Sequence, residues 1–88
     1  MDNKIKKLKS NSHQLKPVVI IGAQGLSEGV QKEINLALDA HELIKVRINA
    51  QDGAARQEMI DTILEKQHAT LVNQIGHVAV IYRQNDID

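Results

Sequence analysis

Two glycines frame a four-residue segment, Gly22-Ala23-Gln24-Gly25, between a predicted strand and the start of a predicted helix. Because glycine has no Cβ, a ligand can approach the backbone closely there. The amides of such a turn, together with the positive end of the helix dipole, attract a phosphate oxygen. Glycines are also common in tight turns for their backbone conformation alone. The segment is therefore a candidate anion site, and the purely conformational interpretation stays open.

Cations in the neighbouring sequence favour the anion site. Lys16 immediately precedes the predicted strand, and Lys45 and Arg47 lie on the next predicted strand. The predicted amino-terminal helix carries four lysines. If these side chains converge on the glycine segment, the surface can bind several phosphates at once. The candidate binding residues are Lys4, Lys7, Lys16, Gly22, Ala23, Gln24, Gly25, Lys45 and Arg47.

Formal net charge is zero across the 88 residues, but the charge is segregated along the chain. Residues 1–32 contain six lysines and only two carboxylates, whereas residues 33–88 contain five cations and nine carboxylates. A local basic patch matters more to a polyanion than the net charge does. A solvated lysine-rich helix is the alternative interpretation of the amino-terminal cations.

Other sites for chemistry are missing from the sequence. There is no cysteine, the four histidines stand apart, and no serine lies in a nucleophile elbow. Walker A and GxGxxG patterns are also absent. We therefore expect no metal site, no cofactor and no catalytic activity. No apolar run approaches the ~20 residues of a membrane span, and the lysine-rich start lacks the apolar stretch of a signal peptide, so we expect a soluble protein. Because the sequence has no cysteine, we expect it in the cytoplasm.

Hydrophobic periodicity predicts the elements that must position these residues. A short amphipathic helix, with Ile5, Leu8, Ser12 and Leu15 on one side, ends before Pro17. Alternating or β-branched runs predict strands at 17–21, 43–49, 70–75 and 78–82. Helical spacing predicts a helix from Ser27 to about residue 40, with Val30, Ile34, Ala37, Leu38 and His41 on one face. Asp52-Gly53 ends the second strand, and a further helix runs to about residue 67, with the apolar stripe Met59, Ile60, Ile63 and Leu64.

These elements predict a single α/β domain over residues 1–88 with the order α-β-α-β-α-β-β. Gly76-His77 has glycine first, as a type II′ hairpin turn requires, so the last two strands are antiparallel. Strands joined through helices are normally parallel with right-handed crossovers, so the four-stranded sheet is mixed and both central helices lie on one face. Lys45 and Arg47 then lie on the opposite face, and Pro17 favours an edge position for the first strand.

Three ordered segments resemble the CRM domain, which is named for chloroplast RNA splicing and ribosome maturation. They are residues 16–22 (KPVVIIG), 25–30 (GLSEGV) and 41–47 (HELIKVR), and the ending at Tyr82-Arg83 is similar as well. The resemblance covers nearly the whole chain and is greatest to the stand-alone, YhbY-like bacterial members.

The resemblance implies a fold like the carboxy-terminal domain of translation initiation factor three, with sheet order 1-2-4-3 and strand four antiparallel. It also implies RNA binding through the GxxG loop, and an association with precursors of the large ribosomal subunit. The loop is then Gly22 to Gly25, and the strand-two cations are Lys45 and Arg47. The two central residues of this loop, Ala23 and Gln24, are uncharged. The loop must therefore bind phosphate through its backbone amides, and the cations must come from Lys16 and the first helix.

The expected partner is therefore large-subunit ribosomal RNA or its precursor particle, with no binding to DNA or membranes. Because Tyr82 is the single aromatic residue, base stacking of the kind seen on RRM sheets is excluded, and recognition is expected to rest on shape and phosphate geometry. A protein-interaction module that docks on a ribosomal protein or assembly factor through the acidic carboxy-terminal half is the alternative.

Overall fold

A computed structural model of the protein describes residues 16–22 and 25–84. In this part of the chain the elements are β1 (Pro17–Ile21), α1 (Glu28–His41), β2 (Leu43–Ile48), α2 (Gly53–Gln67), β3 (Thr70–Ile75) and β4 (Val78–Tyr82). At every end that was predicted from the sequence, these elements agree with the prediction to within about one residue; the start of α2 was not predicted. The predicted amino-terminal helix lies outside the described residues.

The four strands form one mixed sheet in the order β1-β2-β4-β3. β1 is parallel to β2, whereas β4 is antiparallel to both of its neighbours. This confirms the order 1-2-4-3 with strand four antiparallel. β1 is an edge strand, as Pro17 predicted, since proline has no amide to donate to a second neighbour.

Both helices pack on one face of the sheet over an aliphatic core. The largest buried side chains of this core are all aliphatic: Ile21, Ile34, Leu38, Ile44, Val46, Ile48, Ile60, Ile63 and Ile81. Along β2 the buried residues alternate with Lys45 and Arg47, as the period of two predicted. His41, expected on the apolar face of its helix, is instead exposed. It occupies the last turn of α1, where a basic side chain suits the negative end of the helix dipole.

Short polar side chains set the start of each helix. The Ser27 hydroxyl accepts a hydrogen bond from the amide of Val30 at 3.2 Å, and the Asp52 carboxylate accepts one from the amide of Ala55 at 2.7 Å. The hairpin turn between β3 and β4 has Gly76 at a φ of 56°, the positive value that its first central position needs.

A polar network joins the two helices to the residue that follows β4. The Arg83 guanidinium donates to the backbone oxygens of Asn35 and Gln67 at 3.1 and 3.2 Å, and to the Asp39 carboxylate at 2.8 Å. Gln67, only 7% exposed, donates to the side-chain oxygen of Gln31 at 2.8 Å. The network therefore fixes α1, α2 and the end of β4 relative to one another.

Candidate nucleic-acid interface

The glycine segment closes as a hydrogen-bonded turn. The Gly25 amide donates to the Gly22 carbonyl at 3.0 Å, and the Ser27 amide donates to the Gly25 carbonyl at 3.1 Å. Gly25 has a φ of 73°, in the left-handed region that favours glycine. The predicted site residues Ala23 and Gln24 lie outside the described residues. The Gly25 amide of this turn and the Ser27 amide that follows it are therefore used within the protein and are not offered to a ligand.

Residues at the start of α1 already satisfy one of its free amides and offset the positive end of its dipole. The Ser27 hydroxyl caps the helix, and Glu28 places a carboxylate in its first turn. A negative side chain at this position stabilises the helix by opposing the positive end of its dipole. Among the described residues, attraction of a phosphate to this region therefore depends chiefly on the neighbouring cations.

The described cations of the predicted site follow β1 and β2 in a line. Lys45 is the register partner of Pro17, so it lies beside Lys16 at the amino end of β1. Arg47 is the partner of Ile20, two residues before Gly22. Because a strand rises about 3.3 Å per residue, Pro17 and Gly22 are about 16 Å apart. Arg47 is thus close to the glycine turn, whereas Lys16 and Lys45 mark the far end of the line.

The other predicted cations, Lys4 and Lys7, lie outside the described residues.

We call the sheet face turned away from α1 and α2 the second face. Arg47 is exposed and Lys45 half-buried on it, next to the exposed side chains of Val18 and Ile20, 50% and 61% exposed. The four strands contain no aspartate or glutamate. The carboxylates of the described residues lie instead in the helices and their adjoining loops. The charged strand residues of the second face, Lys45 and Arg47, are therefore both basic and lie among apolar side chains, whereas the helical layer carries the carboxylates.

A cleft of about 600 Å³ opens beside the glycine turn. Its walls come from Gly22, from Asn49 to Gln51 after β2, from Ala55 and Met59 of α2, and from His77 in the hairpin turn. The polar residues of this cleft were not predicted from the sequence. A signal was available, because β1 and β2 are parallel and the residues that follow parallel strands meet at the same edge of a sheet.

Among residues 16–22 and 25–84, no group of three or more His, Asp or Glu side chains could hold a metal ion. Over the same residues, neither helix is long and apolar enough to span a bilayer.

Comparison with known proteins gives consistent results in sequence and structure. The chain is 44% identical over 79 residues to a Haemophilus influenzae protein named as an RNA-binding protein, covering 90% of this chain and 80% of the relative. It is 41% identical over 80 residues to a Pseudomonas aeruginosa protein named as a probable RNA-binding protein, covering 91% and 77% of the two chains.

A solved structure shares the fold. The solution structure of a hypothetical protein from Staphylococcus aureus, described as a candidate RNA-binding protein, superposes with a TM-score of 0.83 at 31% identity. The match covers 100% of this chain and 92% of the other. A sequence model of the CRS1/YhbY (CRM) domain matches residues 1–83. Since this match spans almost the whole chain and agrees with both relatives and with the fold, the protein belongs to the CRS1/YhbY (CRM) domain family.

Proposed function

We propose that the protein binds structured ribosomal RNA in precursors of the large ribosomal subunit and assists ribosome assembly without catalysing a reaction. The observation that carries the proposal is the basic second face, which has no strand carboxylate and ends at the glycine turn. The names of the bacterial relatives support RNA as the class of ligand. The family resemblance of the loop and of strand two supports the large subunit as its source.

In the proposed complex the RNA backbone follows β1 and β2. Its phosphates lie near Lys16 and Lys45 at one end, near Arg47 in the middle and near the glycine turn at the other end. Contacts of this type position the RNA and depend strongly on salt, because each neutralised phosphate releases condensed counterions. The carboxylates of the helical layer keep the RNA on the second face by repelling it from the other side.

The proposal is tested by a fluorescence-anisotropy titration at several salt concentrations. The probes are labelled fragments of large-subunit ribosomal RNA, with small-subunit fragments and duplex DNA as controls. We expect selective binding to large-subunit fragments, with a salt dependence of a few phosphate contacts. Equal affinity for small-subunit fragments would contradict the assignment to the large subunit. If no RNA binds near physiological salt, the ligand is not free RNA and a protein partner becomes the better hypothesis.

Removing a cation from the line on β1 and β2 is expected to change the salt dependence by a defined amount. Lys16→Ala and Lys45→Ala should each weaken RNA binding and lower the slope of log K against log salt by about 0.7 to 0.9, the value of one phosphate contact. Lys66→Ala is the matched control, because Lys66 is exposed in the last turn of α2, within the helical layer. Unchanged slopes for both variants would remove Lys16 and Lys45 from the interface.

A further inference from the structure

The cleft beside the glycine turn lies where the proposed RNA path ends. Gly22 forms part of its wall, and so does Asn49. The Asn49 side-chain oxygen accepts a hydrogen bond from Arg47 Nε at 3.3 Å. A residue of the cleft wall is therefore bonded directly to a cation of the second face. A strand of RNA whose phosphates contact Arg47 and the glycine turn therefore crosses the mouth of the cleft.

The walls of the cleft combine apolar and polar residues. Ala50, Ala55 and Met59 are the apolar lining residues, and Asn49, Gln51 and His77 are the polar ones. Small-molecule sites also combine apolar residues with a few polar groups, and their volumes are about 300 to 1,000 Å³. The cleft is therefore large enough for one nucleoside, and its polar groups are of the kind that bind the edges of a base.

The orientation of His77 is fixed by a neighbouring cation. Arg56 Nη1 lies 3.1 Å from His77 Nδ1. A guanidinium can only donate hydrogen bonds, so Nδ1 accepts and the proton of the neutral ring is on Nε2. His77 is thereby held with a donor available to a ligand. The Arg56 Nε atom is buried and has no hydrogen-bond partner among the described residues, which is rare in a folded protein.

A base suits this cleft better than a phosphate does. Asp52 caps α2 at this end of the helix, and its carboxylate accepts the amide hydrogen of Ala55, one of the lining residues. This negative charge compensates the helix dipole, and it offsets the charge of the Arg56 guanidinium beside His77, so the cleft offers no net positive charge to a phosphate. A neutral base with donors and acceptors along its edges does not need one.

We propose that the cleft receives a single unstacked nucleotide of the bound RNA and discriminates among bases through Asn49, Gln51 and His77. The inference rests on the proposed RNA-binding function and deepens it. It adds one point of base recognition to binding that otherwise depends on phosphate geometry. Reading a base by hydrogen bonds at its edge does not require the aromatic platforms that this protein lacks.

The test compares the wild type with a variant whose cleft is filled. The probes are single-stranded octamers of A, C and U, together with a large-subunit ribosomal RNA fragment as the reference ligand. Ala55→Leu adds bulk to the wall of the cleft, and leucine is nearly as good a helix former as alanine. Ala54→Leu is the matched control, because Ala54 is exposed in the same helix turn. Gln51→Ala is a second cleft variant at an exposed residue and carries little risk to folding.

For the wild type we expect one octamer to bind about fivefold or more tightly than the others, which is the lower range for one specific base contact. Ala55→Leu should reduce this preference to less than about twofold, and Gln51→Ala should reduce it in part. The salt slope should not change, because no phosphate contact is lost.

Several outcomes would overturn the inference. These are equal wild-type affinity for the three octamers, a preference that survives in Ala55→Leu, or binding of the ribosomal fragment with no binding of any octamer. Failure of the proposed function has a different signature, since the wild type then binds neither octamers nor ribosomal fragments.

Discussion

Gly25→Asp is expected to weaken binding of large-subunit ribosomal RNA at least about tenfold while the domain remains folded. Gly25 has a φ of 73°, and aspartate adopts the left-handed region more readily than most residues do. A Cβ at this position would lie 3.6 Å from Met59 Cε, an ordinary contact with the end of a flexible side chain. The added carboxylate would lie at the glycine turn, where the proposal places a phosphate. Like charges 4 Å apart repel by about 1 to 4 kcal/mol near a protein surface.

The matched control for this variant is Gly25→Asn. Asparagine has nearly the same shape and the same tolerance of left-handed backbone, but it has no charge. Both variants should lose about 1 kcal/mol of folding stability, and Gly25→Asn should retain most of the RNA affinity. Affinity is measured by fluorescence anisotropy and folding by circular dichroism. A folded Gly25→Asp variant that binds RNA normally would exclude the glycine turn from the interface.

Arg83→Ala is expected to lower the melting temperature by about 10 to 20 °C, from a loss of about 2 to 3 kcal/mol. The substitution removes the hydrogen bonds from Arg83 to both helices and leaves the Gln67 side-chain oxygen without its partner at 3.3 Å. Gln67 is buried, and an unsatisfied buried acceptor costs about 1 to 3 kcal/mol. The measurement is thermal unfolding followed by circular dichroism.

Two further variants separate the buried hydrogen bonds of Arg83 from its ion pair. The Asp39 side chain is 62% exposed, so the ion pair with Arg83 is screened by water and contributes at most about 1 kcal/mol. Asp39→Ala should therefore have a much smaller effect than Arg83→Ala. Lys66→Ala removes an exposed cation and should change stability by less than about 0.5 kcal/mol. Equal destabilisation by Asp39→Ala and Arg83→Ala would show that the ion pair dominates, contrary to this expectation.

The sequence predicted the described elements well because their signals are local. The glycine after β1, the Ser27 cap and the Gly76-His77 turn mark the ends of elements independently of the rest of the fold. Asp52 was predicted only to end β2, and its capping of α2 was found in the structure. The mixed sheet followed from the order of elements and the handedness of crossovers. The strand order 1-2-4-3 came from the family resemblance, since local periodicity does not specify which strands are neighbours.

The candidate site was predicted less completely. Alternation along β2 was enough to place Lys45 and Arg47 on the face away from the helices. Their distances from the glycine turn depend on the register of β1 against β2, which pairs Lys45 with Pro17 and Arg47 with Ile20. A shift of this register would have moved a different cation next to the turn. Whether the predicted site residues bind RNA stays a prediction.

The sequence by itself determined the class of the protein: an aliphatic α/β domain with a basic amino-terminal half, a glycine turn between strand and helix, and the motifs of its family. These properties depend on residue type and short spacing. The tertiary structure alone decided which polar groups meet. Asn49 and His77 line one cleft with Gly22, and Arg83 donates to Gln67, only because the sheet order brings together segments that are distant along the chain. Such contacts have no local signal, because they form only when strand order and register are fixed.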